Sequence, residues 1–482
     1  MTIMSDQEIG HRLGGLAAER DPLLRSCFVR SEVIQRVLTF GSPKNIVVGK
    51  KGSGKSAAFL VGRGPGSTTP VIRISPSTHL IEVKRAMLSH TQYADIMRHE
   101  LSLECLKAWS ENEALSSRLS RKERLQLAAA NGDYVSRLKK LGARIEGGSA
   151  FGWGVKLGES AESSLEIVSK SDTANTRPLI DKLSSLGGKC LVMVDDPELL
   201  FGYSDQPPAN LLGGLLLASV DLTTIYPDSI RIVVFLKLHV YRHMKRTFED
   251  IDHLRHNFEM LKWVETDLEA LLAARLIKAL ALSPDKKVQF DPWLSLLRGA
   301  EATESAHIRS HVLERLVCGP RDLIWFSSQI LDMQARGYQG WEALLAAEAN
   351  YSQDQLNQLE LEYGRRGYEE ISSVVSKLFS PDSGLPSTEM KAGDFEEFLR
   401  SRLHSSEIMK QRERHDWLEA LTPKSLAQLL YEVGVLGYWL HSEERFVMPY
   451  EISSETRGFL ASPTWRLNPA FNHALGIAHR ES

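Results

Sequence analysis

Cysteine is scarce: only 4 stand in 482 residues, Cys27, Cys105, Cys190 and Cys318. With no CxxC pair and no histidine in ligand register, they argue against a disulfide framework or a zinc site. Long hydrophobic runs are also missing. The longest, such as Leu191–Val194 and Ile230–Leu236, have the length of buried strands and fall far short of the roughly 18 apolar residues a membrane helix needs. The opening residues MTIMSDQEIGHRLGGLAAERD lack the basic start, apolar segment and small-residue cleavage site of a secretory signal, so a cytoplasmic protein without a membrane span is expected. Charge of one sign is lacking as well. The 58 Lys and Arg stand against 61 Asp and Glu, a formal net charge of −3, which gives no global pull toward nucleic acid or an anionic membrane. No internal repeat or low-complexity tract is present. What remains is an ordinary globular composition, 43% hydrophobic and 25% charged, long enough for roughly two to four domains at about 100–200 residues each.

Against that background one segment is specific. Residues 45–60 read NIVVGKKGSGKSAAFL, a β-branched run (Ile46, Val47, Val48), then Gly49, Lys50, Lys51, Gly52, Ser53, Gly54, Lys55 and Ser56, then helix-forming Ala57 to Leu60. This matches GxxxxGK[ST] in its strand-to-helix setting. A polyphosphate must be met by backbone at very close range, and Gly49, Gly52 and Gly54 permit that approach. Successive N–H groups and the helix N-terminus then hold phosphate oxygens, Lys55 is expected at the β- and γ-phosphates, and Ser56 at a magnesium ion. A Gly-rich surface turn is the competing reading.

Such a loop needs a carboxylate from a neighbouring strand. In KCLVMVDDPE (189–198) an unbroken apolar run, suited to a central parallel strand, ends in Asp195, Asp196, Pro197 and Glu198. Ligands sit at the carboxyl ends of such strands. Asp195 is expected at the magnesium and Asp196 at the attacking water, with Glu198 as the substitute acid. A third apolar strand, Ile230–Leu236, ends at Lys237, placed to sense the γ-phosphate or, alternatively, to cap the strand in solvent. The basic cluster that follows contains Arg242 and Arg246, either an arginine finger for a neighbouring subunit in a homo-oligomer or a solvated basic face. FEMLKW (258–263) reads as a strand, and Thr266-Asp267-Leu268-Glu269 as a capping box opening a helical lid. Farther on, Gly319-Pro320-Arg321-Asp322 puts Arg321 in the first turn of a helix, where the helix dipole does not favour a cation. Arg321 therefore reaches toward a phosphate or pairs with a nearby acid.

In this order, the loop, VMVDD, VVFLK, Trp263 and GPRDLI resemble bacterial P-loop ATPases of the AAA+/STAND type, related to the origin-recognition and KAP-type ATPases. More narrowly, the chain is similar to a bacterial group in which an Ala-Glu-x-Asp segment (Ala18, Glu19, Arg20, Asp21) and a Phe-Val pair (Phe28, Val29) precede the loop. The resemblance covers roughly residues 10–80 and 185–335. It implies nucleotide binding by Gly49 to Ser56, magnesium at Asp195, hydrolysis supported by Asp196, a second-sensor role for Arg321, a winged-helix-like tail and a role in antiviral defence. The group more often has arginine at the position of Lys237.

The segment LSSLGGK (183–189) is not an ABC signature, since no room is left for the helix that signature must begin. No [NT]-K-x-D guanine reader follows the later strands, which favours ATP over GTP. The expected fold is α/β: a P-loop NTPase parallel sheet with a helical insertion, followed by a helical lid and a winged-helix-like domain. The expected bounds are a helical lead-in at 1–40, the core at 41–264 with a helical and Gly-rich insertion at about 85–180, the lid at 265–345, and the C-terminal domain at 346–482. Within the insertion, Leu115–Ala129 reads as one helix carrying Arg118, Arg121, Lys122 and Arg124, and Phe151 and Trp153 as aromatics free to dock on a partner. Residues 391–482 carry 11 Lys and Arg against 13 Asp and Glu, whereas duplex binding depends on several phosphate-neutralising cations. The tail is therefore read as a protein-interaction or regulatory wing in preference to a DNA reader. The functional expectation is an ATP- and Mg2+-dependent ATPase acting as a nucleotide switch, with a protein partner at the C-terminal domain or the insertion. The alternatives are a DNA-binding loader or regulator and a non-hydrolysing ATP-bound scaffold.

Overall fold

An apolar run forms a strand where both of its faces can be covered, and three such runs do so here, flanked by two less buried edge strands. In a computed structural model that describes residues 13–62, 67–75, 88–130, 176–200, 208–281, 290–442, 445–447 and 457–477, the strands are Ile46–Gly49 (β1), Val71–Ile74 (β2), Cys190–Asp195 (β3), Ile230–Lys237 (β4) and Phe258–Met260 (β5). They form one parallel sheet in the order β2-β3-β4-β1-β5. β1 and β3 are buried at every position, and β4 at all but its last, Lys237. The acid-bearing β3 is therefore not the neighbour of the P-loop strand, as the sequence reading has it; β4 lies between them.

The chain divides into two units, one made of Arg30–Lys51 and Lys55–Leu261, the other of Met1–Val29, Gly52–Gly54 and Lys262–Ser482. In the first, helices Glu32–Leu38 (α1), Lys55–Val61 (α2), His90–Ser110 (α3), Ala209–Ile225 (α4) and Leu238–Thr247 (α5) accompany the sheet. α4 lies along α3, its Gly214 meeting the backbone of Tyr93 and Ala94 so closely that a Cβ there would lie 2.8 Å from Ala94 N. Burial of leucine, valine and isoleucine of these helices against one sheet face, including Ile46, Val48, Val192, Val194 and Val234, drives this packing. Arg231 interrupts the apolar run of β4 and is fully buried. It donates to the carbonyls of Val37, Ser42 and Lys44 ahead of β1, and burial pushes its guanidinium down to about 10. The helix expected over 115–129 is two, Glu113–Ser116 and Arg121–Ala130, because Ser120 and Glu123 satisfy each other's backbone N–H and start a new helix there. The Gly-rich stretch at 147–154, with Phe151 and Trp153, lies outside the described residues.

In the second unit, Glu265–Ala279 (α6), Ser305–Glu314 (α7), Pro320–Ala335 (α8), Gly340–Tyr363 (α9), Ile371–Leu378 (α10), Ala392–Leu403 (α11) and Pro423–Val433 (α12) precede or surround an antiparallel sheet. Its strands, Glu389–Lys391 (β6), Leu436–Leu440 (β7), Arg445–Val447 (β8) and Thr464–Leu467 (β9), run in the order β6-β9-β7-β8. One apolar core continues from Leu13 through Ile477. The expected capping box at Thr266 does not form. α6 begins at Glu265 after Val264, which makes no side-chain cap, and Glu269 is drawn to Arg309, 3.1 Å away, which also holds Glu265 at 2.7 Å.

Candidate functional site

The site is built at the carboxyl ends of β1, β3 and β4. Beyond Gly49 the loop turns through Gly52 (φ +84°) and Gly54 (φ +93°), left-handed conformations that glycine adopts without steric cost. Lys50 is half-buried and Lys51 exposed, whereas Ser53 is buried. Lys55 opens α2 and folds back over the loop, its Nζ donating to the carbonyls of Gly49 at 2.8 Å and Lys50 at 2.7 Å. Burial pushes its ammonium down to about 8; Asp195, Asp196 and Glu198 oppose that shift, while Lys237 adds to it. One small volume thus holds two cations and three acids.

β3 ends at Asp195, opposite Phe235 of β4. Ser56, the second residue of α2, acts on its carboxylate. Burial and the neighbouring Asp196 raise Asp195 to about 7, with Ser56 and Lys55 holding it back. Its buried Oδ1 has no hydrogen-bond partner, a state costly for a carboxylate oxygen unless a cation or donor arrives. A hydroxyl, a carboxylate with an open oxygen and a glycine cradle form a donor set suited to a hard divalent ion that keeps most of its waters, and the residues present therefore fit Mg2+. Among the described residues no group of three His, Cys, Asp or Glu forms a metal cage of its own.

The backbone leaves β3 through Asp196 at φ +47°, a left-handed conformation in which Asp is among the few tolerated side chains. A single helical turn, Pro197–Leu200, follows. This reversal brings both remaining acids to Lys237, the last residue of β4, which lies in register with Gly49. Lys237 Nζ is 3.1 Å from Asp196 Oδ1 and 2.9 Å from Glu198 Oε1. Burial works against the Lys237 charge, but the two carboxylates outweigh it and raise the ammonium above its usual range. Glu198 is raised by its burial, with Lys237 pulling the other way.

Arg321 occupies the first turn of α8. Its backbone N–H donates to the Gly52 carbonyl at 3.4 Å, and a Cβ added to Gly52 would lie 3.0 Å from its Nε. Asp322 accepts instead from the backbone N–H groups of Val317 and Cys318. Trp263 donates its indole N–H to the Ser53 carbonyl at 2.8 Å, a contact the sequence reading does not assign; a lone tryptophan after the last strand was the only signal. Arg242 is half-buried and Arg246 exposed on α5.

Neither a protein-family model nor a curated protein matches the sequence. Among solved structures the chain is similar to a Walker-type ATPase of Pyrococcus abyssi, at 14% identity and a TM-score of 0.39, over 93% of this chain and 96% of that one.

Proposed function

We propose that this chain binds ATP with Mg2+ in the loop Gly49–Ser56 and hydrolyses it, using the nucleotide as a conformational switch. The observation that carries the reading is the buried Lys55, folded onto the Gly49 and Lys50 carbonyls at the carboxyl end of β1, with the buried β3 ending in the acid Asp195. In this reading the loop N–H groups and the N-terminus of α2 take the phosphate oxygens. Lys55 leaves the Gly49 and Lys50 carbonyls for the β- and γ-phosphates, and Ser56 and Asp195 hold the metal. When bound, the magnesium neutralises phosphate charge and orients the terminal phosphoryl group for in-line attack.

Asp196 orients and polarises the attacking water, Glu198 is the second acid within reach, and Lys237 senses the γ-phosphate. Arg321, lying on Gly52, takes the second-sensor role. The helices and antiparallel strands of 346–482 support a winged-helix-like tail that engages a protein partner, following a lid at 265–345. Steady-state phosphate release tests the reading. Wild-type protein should turn over with Mg-ATP and stop in EDTA, and Asp196→Asn should keep binding ATP while losing turnover. Phosphate release equal to buffer, with ATP retained on the protein, would instead make the chain an ATP-bound scaffold.

A further inference from the structure

Resting on that reading of the site, we infer that Glu198 is not the hydrolytic acid but a positioning residue, a fixed counter-ion that holds Lys237 so that the lysine can report the terminal phosphate and present Asp196 to water. Three observations carry this. The Glu198 side chain is 0% exposed, whereas those of Asp196 and Lys237 are 29% and 22% exposed. A carboxylate that takes a proton from attacking water must be open to solvent, and of the pair only Asp196 is. Secondly, Lys237 reaches both acids from one ammonium, at 2.9 and 3.1 Å. The ammonium is thus paired with two carboxylates at once, one enclosed and one open to solvent, and a phosphate oxygen would compete with the open one. Thirdly, Lys237 stands in register with Gly49 at the entrance of the glycine loop, so the residue that carries the ammonium is held where that loop begins.

The consequence is a division of labour. A carboxylate enclosed with its cation has no water to fall back on, so Glu198 and Lys237 stay together whatever else binds. Asp196, at the open edge, is the partner that Lys237 releases when a phosphate oxygen competes for the ammonium. Loss of Glu198 should therefore act through Lys237, changing how strongly ATP is preferred over ADP, and not through the chemical step alone.

The test uses full-length protein and a fluorescent ATP analogue displaced by ATP or ADP, alongside phosphate release. Lys237→Met and Glu198→Gln should each reduce the preference for ATP over ADP by about tenfold. The double variant should be no worse than Lys237→Met, because coupled residues are not additive. Glu198→Gln should retain measurable turnover where Asp196→Asn loses it. The inference is overturned if Glu198→Gln leaves the ATP preference unchanged while abolishing turnover as Asp196→Asn does, or if the two effects multiply. Should Glu198→Gln alone fail to fold, the double variant compared with Lys237→Met decides the matter: a hydrolytic Glu198 costs further turnover there, and a positioning one does not. Lys55→Ala serves as the control. If wild type binds no nucleotide, the reading of the site fails and takes this inference with it; if wild type binds and Lys55→Ala does not, an unmoved preference sinks the inference alone.

Discussion

The charged cluster around Lys55 and the ring stack of the antiparallel sheet are both buried, yet they are finished to different degrees. In the stack, Phe459 lies between Tyr431 and Trp465 with centroids 4.5 Å apart on each side and ring planes within 15°, and the Trp465 indole N–H donates to the Phe459 carbonyl at 3.0 Å. The three stacked side chains carry no charge. In the cluster, a carboxylate oxygen of Asp195 is buried without a donor, Asp196 holds a left-handed backbone, and Lys55 borrows the carbonyls of its own loop. Burial of rings against rings serves stability, whereas burial that leaves charge and strain waiting for a ligand serves binding.

The largest effect is expected at Asp196: Asp196→Asn should lower turnover by about 10²–10⁴-fold, the usual contribution of a general base, while an ATP-trapping assay shows binding intact. On the other side, Phe459→Ala should cost about 3–5 kcal/mol of stability, read as a lower midpoint in denaturant unfolding. A variant as stable as wild type would mean that the stack does not support the fold.

A smaller effect is expected where loop and tryptophan meet. Trp263→Phe removes the N–H that holds the Ser53 carbonyl, worth about 1 kcal/mol, and should weaken nucleotide binding by about fivefold in the same displacement assay, with the melting temperature little changed. The smallest is a proton count. Asp195, at about 7, is a protonated acid below neutrality and must ionise to hold Mg2+. Mg-ATP binding should therefore release a proton there at pH 6, less as pH rises through 7, and affinity should rise over the same window. Lys55, at about 8, is partly neutral above that pH and is recharged by phosphate, so binding at pH 8.5 should take up a proton. Calorimetry in buffers of different ionisation enthalpy reads both, and Asp195→Asn should abolish the release while sparing the uptake.

The glycine loop and the acid-tipped strand were legible because each is local: GKKGSGKS (49–56) and LVMVDD (191–196) carry their own strand, turn and helix signals within a dozen residues. What stayed hidden depends on order and distance. No local pattern says that β4 lies between β1 and β3, and only that order brings Lys237 to Asp196 and Glu198 together. The capping box failed for the same reason, since Arg309, far along the chain, claims Glu265 and Glu269. The single helix expected over 115–129 failed for a local one: Ser120 and Glu123 form a cap that outcompetes helix continuation. Arg231 stands inside IRIVVFL, and a charged residue within an otherwise apolar strand signals a specific buried partner; here these are three carbonyls ahead of β1.

The claim beneath all of this is that the loop from Gly49 to Ser56 holds a polyphosphate through Lys55. Direct titration of wild-type protein and Lys55→Ala with Mg-ATP tests it at once. Losing a buried, hydrogen-bonded cation from a charged ligand costs roughly 2–5 kcal/mol, so Lys55→Ala should bind at least about 30-fold more weakly with its fold intact. Equal affinity in the two proteins would contradict the account.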